Sequence, residues 1–517
     1  MRSCRKTAAP KRRKTTAGAN TVNTVKNMFA DLFHKFGRYC ISLFSRRQFL
    51  EPGGYVEIWR LAWPLIILSA SNTIMMVVNR IFLAKNSPEE IAAAMPAGQM
   101  FFTLMAFFLV TTSFTATIVS QYYGSGNREG CVRSAWNGFY FGSAVAGILA
   151  FLLPLGGKWI FLHNGHDPQI ANFEIEYFTG MAPCAGLTCM ETAFFSFFTG
   201  RGKTSFVAKV KITGCFINVP LNYLLIFGKC GLPALGILGA GIANSIANFC
   251  TLAIAAVCFL RLDQTGYPTR THRDFDWRII RKLLCFGTPA GLQTFIRNAA
   301  FAIVVMMIGY TGNEALAATS IALSINMIGN MPMIGLMDAT SIITGQFIGR
   351  RRLLVAERIC WRSWRILIVW MTFAALFYLL APGLLVHLFS SRGGGTTGMD
   401  SALVERYVIL ILHFAVVFNV FDAIRFITMG SLRGAGDTKV PLIIGVSTSW
   451  LIQIPGTLLL VYCFHSSLTE IWTLLTFYIA VDAVLMVWRR RSGVWKTIKV
   501  IDLPETAVEE EEPEAAL

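Results

Sequence analysis

Charge is what this sequence has least of. Only 15% of its 517 residues are Asp, Glu, Lys or Arg, where soluble domains carry about 25%, so a water-soluble enzyme of this length is excluded. Acids are scarcer still, 29 against 46 Lys and Arg, which leaves a net charge of +17. Clustered metal or redox ligands are missing: the twelve Cys are scattered, with no CxxC pair and no His at zinc spacing. No metal site or cofactor is therefore expected, and the thiols read as small apolar packing residues. A phosphate-binding loop is missing too, because GRGKT at 200–204 would need its first glycine at Phe197 and no strand precedes it. ATP hydrolysis is not expected, and the chain is not read as an enzyme. The first 25 residues, although they carry KRRK at 11–14, lack the apolar core of a signal peptide.

What is present is apolar sequence in long runs. Hydrophobic residues make up 54%, mean hydropathy is +0.54, and there are 40 Phe and 12 Trp. The runs follow one another from about Leu61 to Trp488. At ~20 residues per span the interval holds about twelve helices. They are expected near 61–83, 97–120, 134–160, 171–198, 205–227, 235–260, 284–308, 317–345, 362–390, 403–428, 438–463 and 468–488. The fold class is thus an all-α polytopic membrane protein. Residues 1–60 form a basic tail in which Phe29, Leu32, Phe33, Phe36, Cys40, Leu43 and Phe44 predict an amphipathic surface helix from Met28 to Phe44. Residues 491–517 form an acidic tail ending in EEEEPEAAL.

The basic residues are segregated. With the N-terminus placed inside, 38 of the 46 fall on the inner side and six on the other: Arg80, Lys85, Lys158, Lys229, Arg392 and Arg406. Two, Arg297 and Arg425, lie within spans. By the positive-inside rule both termini are cytoplasmic, in a multi-pass protein of the cytoplasmic (inner) membrane. The basic balance is then a topology signal and no nucleic-acid partner is implied. The expected partners are the bilayer and a small-molecule substrate, and the chain is read as monomeric.

The chain also repeats itself. Pro64 and Pro289, the pairs Ala92-Ala93 and Ala317-Ala318, Gln121 and Gln346, Gly124 and Gly349, and Trp136 and Trp361 all stand 225 apart. RGKT at 201–204 matches AGDT at 435–438 with an offset of 234, and Pro220 matches Pro455 with 235. Six spans return the chain to its starting side, so the halves are parallel repeats: an N-lobe at 61–260, a cytoplasmic linker at 261–283 and a C-lobe at 284–490. Parallel repeats pack about an axis along the membrane normal and work by alternating access to a site between them. A duplicated six-span unit with short basic loops and no large soluble domain points to a secondary transporter, ahead of a receptor or channel.

Particular stretches carry a resemblance. VVNRIFLAKNSPEEIAAA (77–94), LNYLLIFGKCGLPALGILGAGIAN (221–244), FGTPAGLQTF (286–295) and MGSLRGAGDTKVPL (429–442) resemble signatures of the multidrug and toxic compound extrusion family. The resemblance runs from about Gly54 to Arg491. It implies two six-helix lobes in an outward-opening V and export driven by proton or sodium antiport. The same superfamily contains lipid-linked sugar flippases. A flippase or exporter of an anionic lipid-linked or organic-acid substrate is therefore the alternative to an ion-driven antiporter of amphipathic or xenobiotic molecules.

Ionisable residues within spans are functional candidates because they are costly to keep there. The acids are Glu191, Asp338, Asp422 and Asp482. Asp482 is two turns from Arg489, Arg490 and Arg491 and reads as interfacial. Glu191 and Asp338 read equally as buried partners of a Ser, Thr or Asn or as cavity residues. Asp422 stands where the resemblance implies a functional carboxylate of the second lobe, able to exchange a proton or ligate sodium. A structural salt bridge to Arg425, three residues on along the same face, is the competing reading. In the first lobe the resemblance implies acids where this chain has Asn79 and Asn222, the latter four residues after Asn218. Amides do not titrate, which puts a first-lobe proton relay in doubt. Some members carry a glutamate where this chain has Arg297, ~20 Å into its span by helical rise. Arg297 either pairs with Asp422 as a tethered cation or, with Arg425, presents guanidinium forks to an anionic substrate. Pro220 and Pro455, at matched places, are hinge candidates whose plain alternative is a static kink.

Overall fold

The computed structural model describes residues 46–163, 168–380, 382–383 and 401–502. The amphipathic helix expected at 28–44 and the acidic tail from 503 onward lie outside the described residues. A five-residue helix, Arg46–Leu50, belongs to a separate N-terminal unit. All that follows concerns the unit from Pro52 onward.

Among the described residues that unit has twelve long helices and no strand. The first six are α1 (Tyr55–Asn86), α2 (Pro88–Ser113, then Thr115–Gly124 after a break at Phe114), α3 (Arg128–His163), α4 (Pro168–Gly200), α5 (Thr204–Phe227) and α6 (Gly236–Arg261). The second six are α7 (Trp277–Gly309), α8 (Asn313–Gly349), α9 (Leu353–Leu380), α10 (Ser401–Ala435), α11 (Lys439–Cys463) and α12 (Leu468–Arg491). Eleven of these have the length and apolarity to cross a membrane. The other, α4, has 33 residues and is diluted near its start by Gln169, Asn172, Glu174 and Glu176. Every helix but α11 begins or ends beyond the apolar run that predicted it, because a helix continues past the hydrocarbon into polar sequence. The largest revisions are at the starts of α2, expected from 97 but starting at Pro88, and of α9, expected from 362 but starting at Leu353.

Local chemistry sets the helix ends and breaks. Ser87 caps α2 by accepting the N–H groups of Glu89 and Glu90, with Pro88 in the first turn. Ser467 and Glu470 form a capping box on α12. Two prolines do more than kink. A proline has no N–H for the carbonyl four residues back, and the helix widens into a π turn at Leu283–Gly287 before Pro289 and at Ser449–Gln453 before Pro455. A second π turn, Leu459–Cys463, follows Pro455. Pro220, its repeat partner, sits inside a continuous α-helix.

The halves of the helices that lead to the basic loops are called here the basic half. The two lobes meet there. Ile58, Leu61, Ala62 and Leu65 of α1 share one core with Met333, Leu336, Ala339 and Ile343 of α8 and Ile359 of α9. Across the repeat axis, Gly287 and Gly291 of α7 lie against the α2 backbone at Thr111 and Phe107. At the end of that half the repeat-matched residues exchange contacts. Gln121 Nε2 donates to Gly434 O at 3.0 Å, and Gln346 Nε2 donates to Gly200 O at 2.8 Å. A methyl group on Gly124 would overlap the carbonyl of Gln346, and one on Gly349 the carbonyl of Gln121. Arg433 adds bonds to Val110 O and Ser113 Oγ at 3.1 and 2.6 Å. The hydrogen bonds that join the lobes among the described residues belong to this half, so the space between the lobes is sealed on the basic side.

Candidate functional site

The second lobe holds a buried charge cluster. Asp422, 4% exposed, and Arg425, 3% exposed, project from one face of α10, and Arg425 Nε donates to Asp422 Oδ1 at 2.8 Å. Arg425 Nη2 reaches the same oxygen. On the facing α12, Asp482 lies 3.7 Å from Arg425 Nε and accepts a hydrogen bond from Thr448 Oγ1 of α11 at 3.2 Å. Asp482 is 1% exposed, which corrects its reading as interfacial. Counting residues to the nearest arginines measures depth along the helix axis and says nothing about which face a side chain occupies.

Arg297 stands beside this cluster and not in it. Its guanidinium lies over the Phe426 ring at 5.7 Å, while that of Arg425 lies over the same ring at 4.5 Å. Arg297 acts electrostatically on both Asp422 and Asp482, but the hydrogen-bonded partner of Asp422 is Arg425. Arg297 Nη1 and Arg425 Nη1 are both buried without a hydrogen-bond partner. Of the readings open for Asp422, the hydrogen-bonded pair formed is the local one with Arg425, three residues on, which the helix supplies without any lobe-scale geometry. Asp338 is elsewhere: it faces Arg433 electrostatically, at the lobe junction.

In the first lobe the amides form a chain. Asn79 of α1 and Asn218 of α5 both donate to Asn244 Oδ1 of α6, at 3.2 and 2.8 Å. Asn222 donates to Asn218 Oδ1 at 2.7 Å, and Asn244 reaches Met181 Sδ at 3.5 Å. The three positions singled out by sequence converge here through Asn244, which was not singled out. Nothing in this chain of amides titrates.

The titratable pair of the first lobe lies nearer the basic side. Lys211 Nζ of α5 binds Glu191 Oε2 of α4 at 2.7 Å and approaches Asn248 Oδ1 of α6 at 3.4 Å. Asn248 in turn donates to Cys184 Sγ and Thr188 Oγ1 at 3.0 and 3.1 Å. Glu191 is 1% exposed, with Oε1 unpartnered. The partner of Glu191 is therefore a lysine and not a hydroxyl or amide. Lys211 escapes charge counting because it sits two residues after Lys209, which is exposed. Two residues are about 200° around a helix, enough to turn one lysine outward and the other into the bundle. Lys211 and Asn248, with Asn72, Met75, Cys215 and Thr251, line a narrow cleft of about 10 Å³ between α1, α5 and α6, room for roughly one water.

Among the described residues, no three His, Cys, Asp or Glu converge as metal ligands. Three polar assemblies thus stand in two lobes of one fold, one in the second lobe and two in the first. The MatE family model matches residues 64–224 and again 289–459, with the drift from 225 to 235 found in the internal repeat. The chain belongs to the MatE family. Similar proteins include the probable multidrug resistance protein NorM of Pseudomonas putida, 28% identical over 84% of this chain and 94% of that one. NorM of Neisseria meningitidis serogroup B is 25% identical over 83% and 92%. Among solved structures, an outward-facing multidrug resistance MATE family transporter superposes with a TM-score of 0.77 at 20% identity, covering 86% of this chain and 97% of that one. A MOP superfamily transporter of Pyrococcus furiosus, described as having a binding pocket of reverse polarity, gives 0.78 at 20% identity over 87% and 98%. This MatE chain has the two-lobed transporter fold of those structures.

Proposed function

We propose that this MatE chain is an ion-gradient-driven antiporter that exports small amphipathic or xenobiotic molecules by alternating access between its lobes. The observation that carries the reading is the cluster at Asp422, Asp482 and Arg425, two buried carboxylates that share one guanidinium. Carboxylates held in that way are suited to exchanging H⁺ or Na⁺ as Arg425 moves between them. The relatives named NorM support multidrug export. With its basic loops inside, the protein lies in the cytoplasmic membrane with both termini cytoplasmic, and lobes joined on the basic side suit a cycle in which the opposite side opens.

A second reading has its own observation. Arg297 Nη1 and Arg425 Nη1 are buried and unpartnered. Donors so placed suit an anionic substrate, as the alternative flippase or organic-acid exporter requires. Proteoliposome transport with cationic and anionic substrates, under separately imposed pH and sodium gradients, tests both. Cation efflux driven by either ion gradient supports the first reading. Anion transport that neither gradient drives overturns it in favour of the second.

A further inference from the structure

The connection between the lobes is a folded element. Trp136 Nε1 donates to Thr269 O at 2.8 Å and Tyr140 Oη to Arg273 O at 2.7 Å, both from α3. Asn137 closes the clamp in both directions, donating to Asp274 O at 3.1 Å and accepting from Asp276 N–H at 2.8 Å. Thr269 is fully buried beneath this network. The linker is held in one shape against the end of α3.

That shape has an apolar and basic outer surface. Phe275 and Trp277 stack at 6.5 Å between ring centroids, yet they remain 63% and 61% exposed. Trp277 is the first residue of the membrane-spanning α7. Around the rings, Arg273, Arg278 and Arg281 are exposed. Of the acids nearby, Asp276 caps Arg278 N–H at 2.9 Å and Asp263 accepts from Arg270 N–H at 3.2 Å, while Asp274 is exposed beside Arg273, so the exposed arginines outnumber the exposed acid. Arg270, farther back in the linker, is exposed as well, and Lys282, just past it, is paired with Asp502 at 3.0 Å. Two exposed rings beside three exposed guanidiniums, at the mouth of a spanning helix, match the border between acyl chains and phosphates, where aromatic side chains and arginines settle.

We propose that the linker at 268–281 is a binding surface for anionic phospholipid, with Phe275 and Trp277 seated among the headgroup glycerols and Arg273, Arg278 and Arg281 on the phosphates. An acidic protein segment, including this chain's own residues 503–517, would satisfy the arginines. It would leave the two rings in water, which is why lipid is the better fit.

The test uses the full-length protein in nanodiscs of phosphatidylcholine doped with phosphatidylglycerol, reading Trp277 quenching by brominated phosphatidylglycerol against brominated phosphatidylcholine. Trp277→Phe identifies the Trp277 signal by difference. Preferential quenching by the anionic lipid is expected. A juxtamembrane basic residue contributes about a fivefold change in lipid affinity, so Arg273→Gln, Arg278→Gln and Arg281→Gln together weaken it on the order of a hundredfold. The control triple Lys203→Gln, Lys209→Gln and Arg350→Gln, at other exposed positions of the basic side, should leave it near wild type. Equal loss in both triples would reduce the effect to general surface potential and overturn the site. Equal quenching by the two lipids would do the same, as would anionic-lipid preference that appears only after deletion of 503–517, which would assign the surface to the tail.

Discussion

At the scale of single residues, the two lobes solve the same problem differently. Each buries an acid, but the second lobe neutralises Asp422 from within its own helix whereas the first draws Lys211 from a neighbouring one. Breaking a buried pair by removing one partner costs about 3–5 kcal/mol because the other charge is stranded. Arg425→Gln takes the hydrogen-bonded partner from Asp422 and the near guanidinium from Asp482, leaving the two acids to Arg297, so it should lower thermal stability in detergent by up to that order, and adding Asp422→Asn should recover part of the loss. Arg297→Gln leaves the Asp422 hydrogen bond intact and should cost much less. If Arg297→Gln proves the more damaging of the two, the pairing described here is wrong. A parallel cycle at Glu191 and Lys211, with Lys211→Met rescued by Glu191→Gln, should show the same sign. The sequence makes the Asp422–Arg425 pair legible, because residues three apart share a helix face. It hides Asp482 and Lys211, since depth can be counted along a sequence but the direction of a side chain around its helix depends on neighbours in other spans.

At the scale of helices, the internal repeat was legible as matched residues, yet what the matches do was not. Gln121, Gly124, Gln346 and Gly349 are conspicuous in sequence only as a 225-residue spacing. In three dimensions they press backbone against backbone at the lobe junction, which a side chain would prevent. Gly349→Ala should therefore force the basic-side ends apart. A cysteine placed at Gln121 in that background should be labelled by a polar maleimide several-fold faster than in the parent, and unchanged labelling would show that the junction absorbs a methyl group. The matched prolines diverge in the opposite sense. Pro455 is bracketed by π turns and Pro220 is not, so the pair predicted as equivalent hinges is structurally unequal. Pro455→Ala returns an N–H to α11 and favours a regular helix, since a proline in a helix interior costs ~3 kcal/mol. Substrate flux should fall while thermal stability holds or rises, and Pro220→Ala should change flux less.

At the scale of the whole molecule, charge placement and the repeat were enough to anticipate twelve helices in two lobes, because both follow from the bilayer's demands on any chain. The contact that ties the lobes beneath the junction was not anticipated, since it lies past the last apolar run. After α12 the chain turns at Gly493 and buries Trp495, 1% exposed, in the core shared by α1, α8 and α9. It then runs on to place Val500 and Ile501 against Phe114 and Ile118 of the first lobe and Leu283 at the start of α7. Gly436 admits Val500 because a side chain there would occupy the same space. The segment 494–502 thus joins both lobes on the side where they already meet, and opening that side requires Val500 and Ile501 to leave apolar surroundings. Burying such side chains contributes ~1.5–3 kcal/mol each. Replacing both by Ser should shift the balance towards states open on the basic side while Trp495 keeps the rest of the segment anchored. Distances between spin labels at exposed positions on the two sides of the junction, such as Asn127 and Arg350, would read the shift as a longer, broader distribution. An unchanged distribution would mean that the Gln and Gly contacts alone hold the basic side closed.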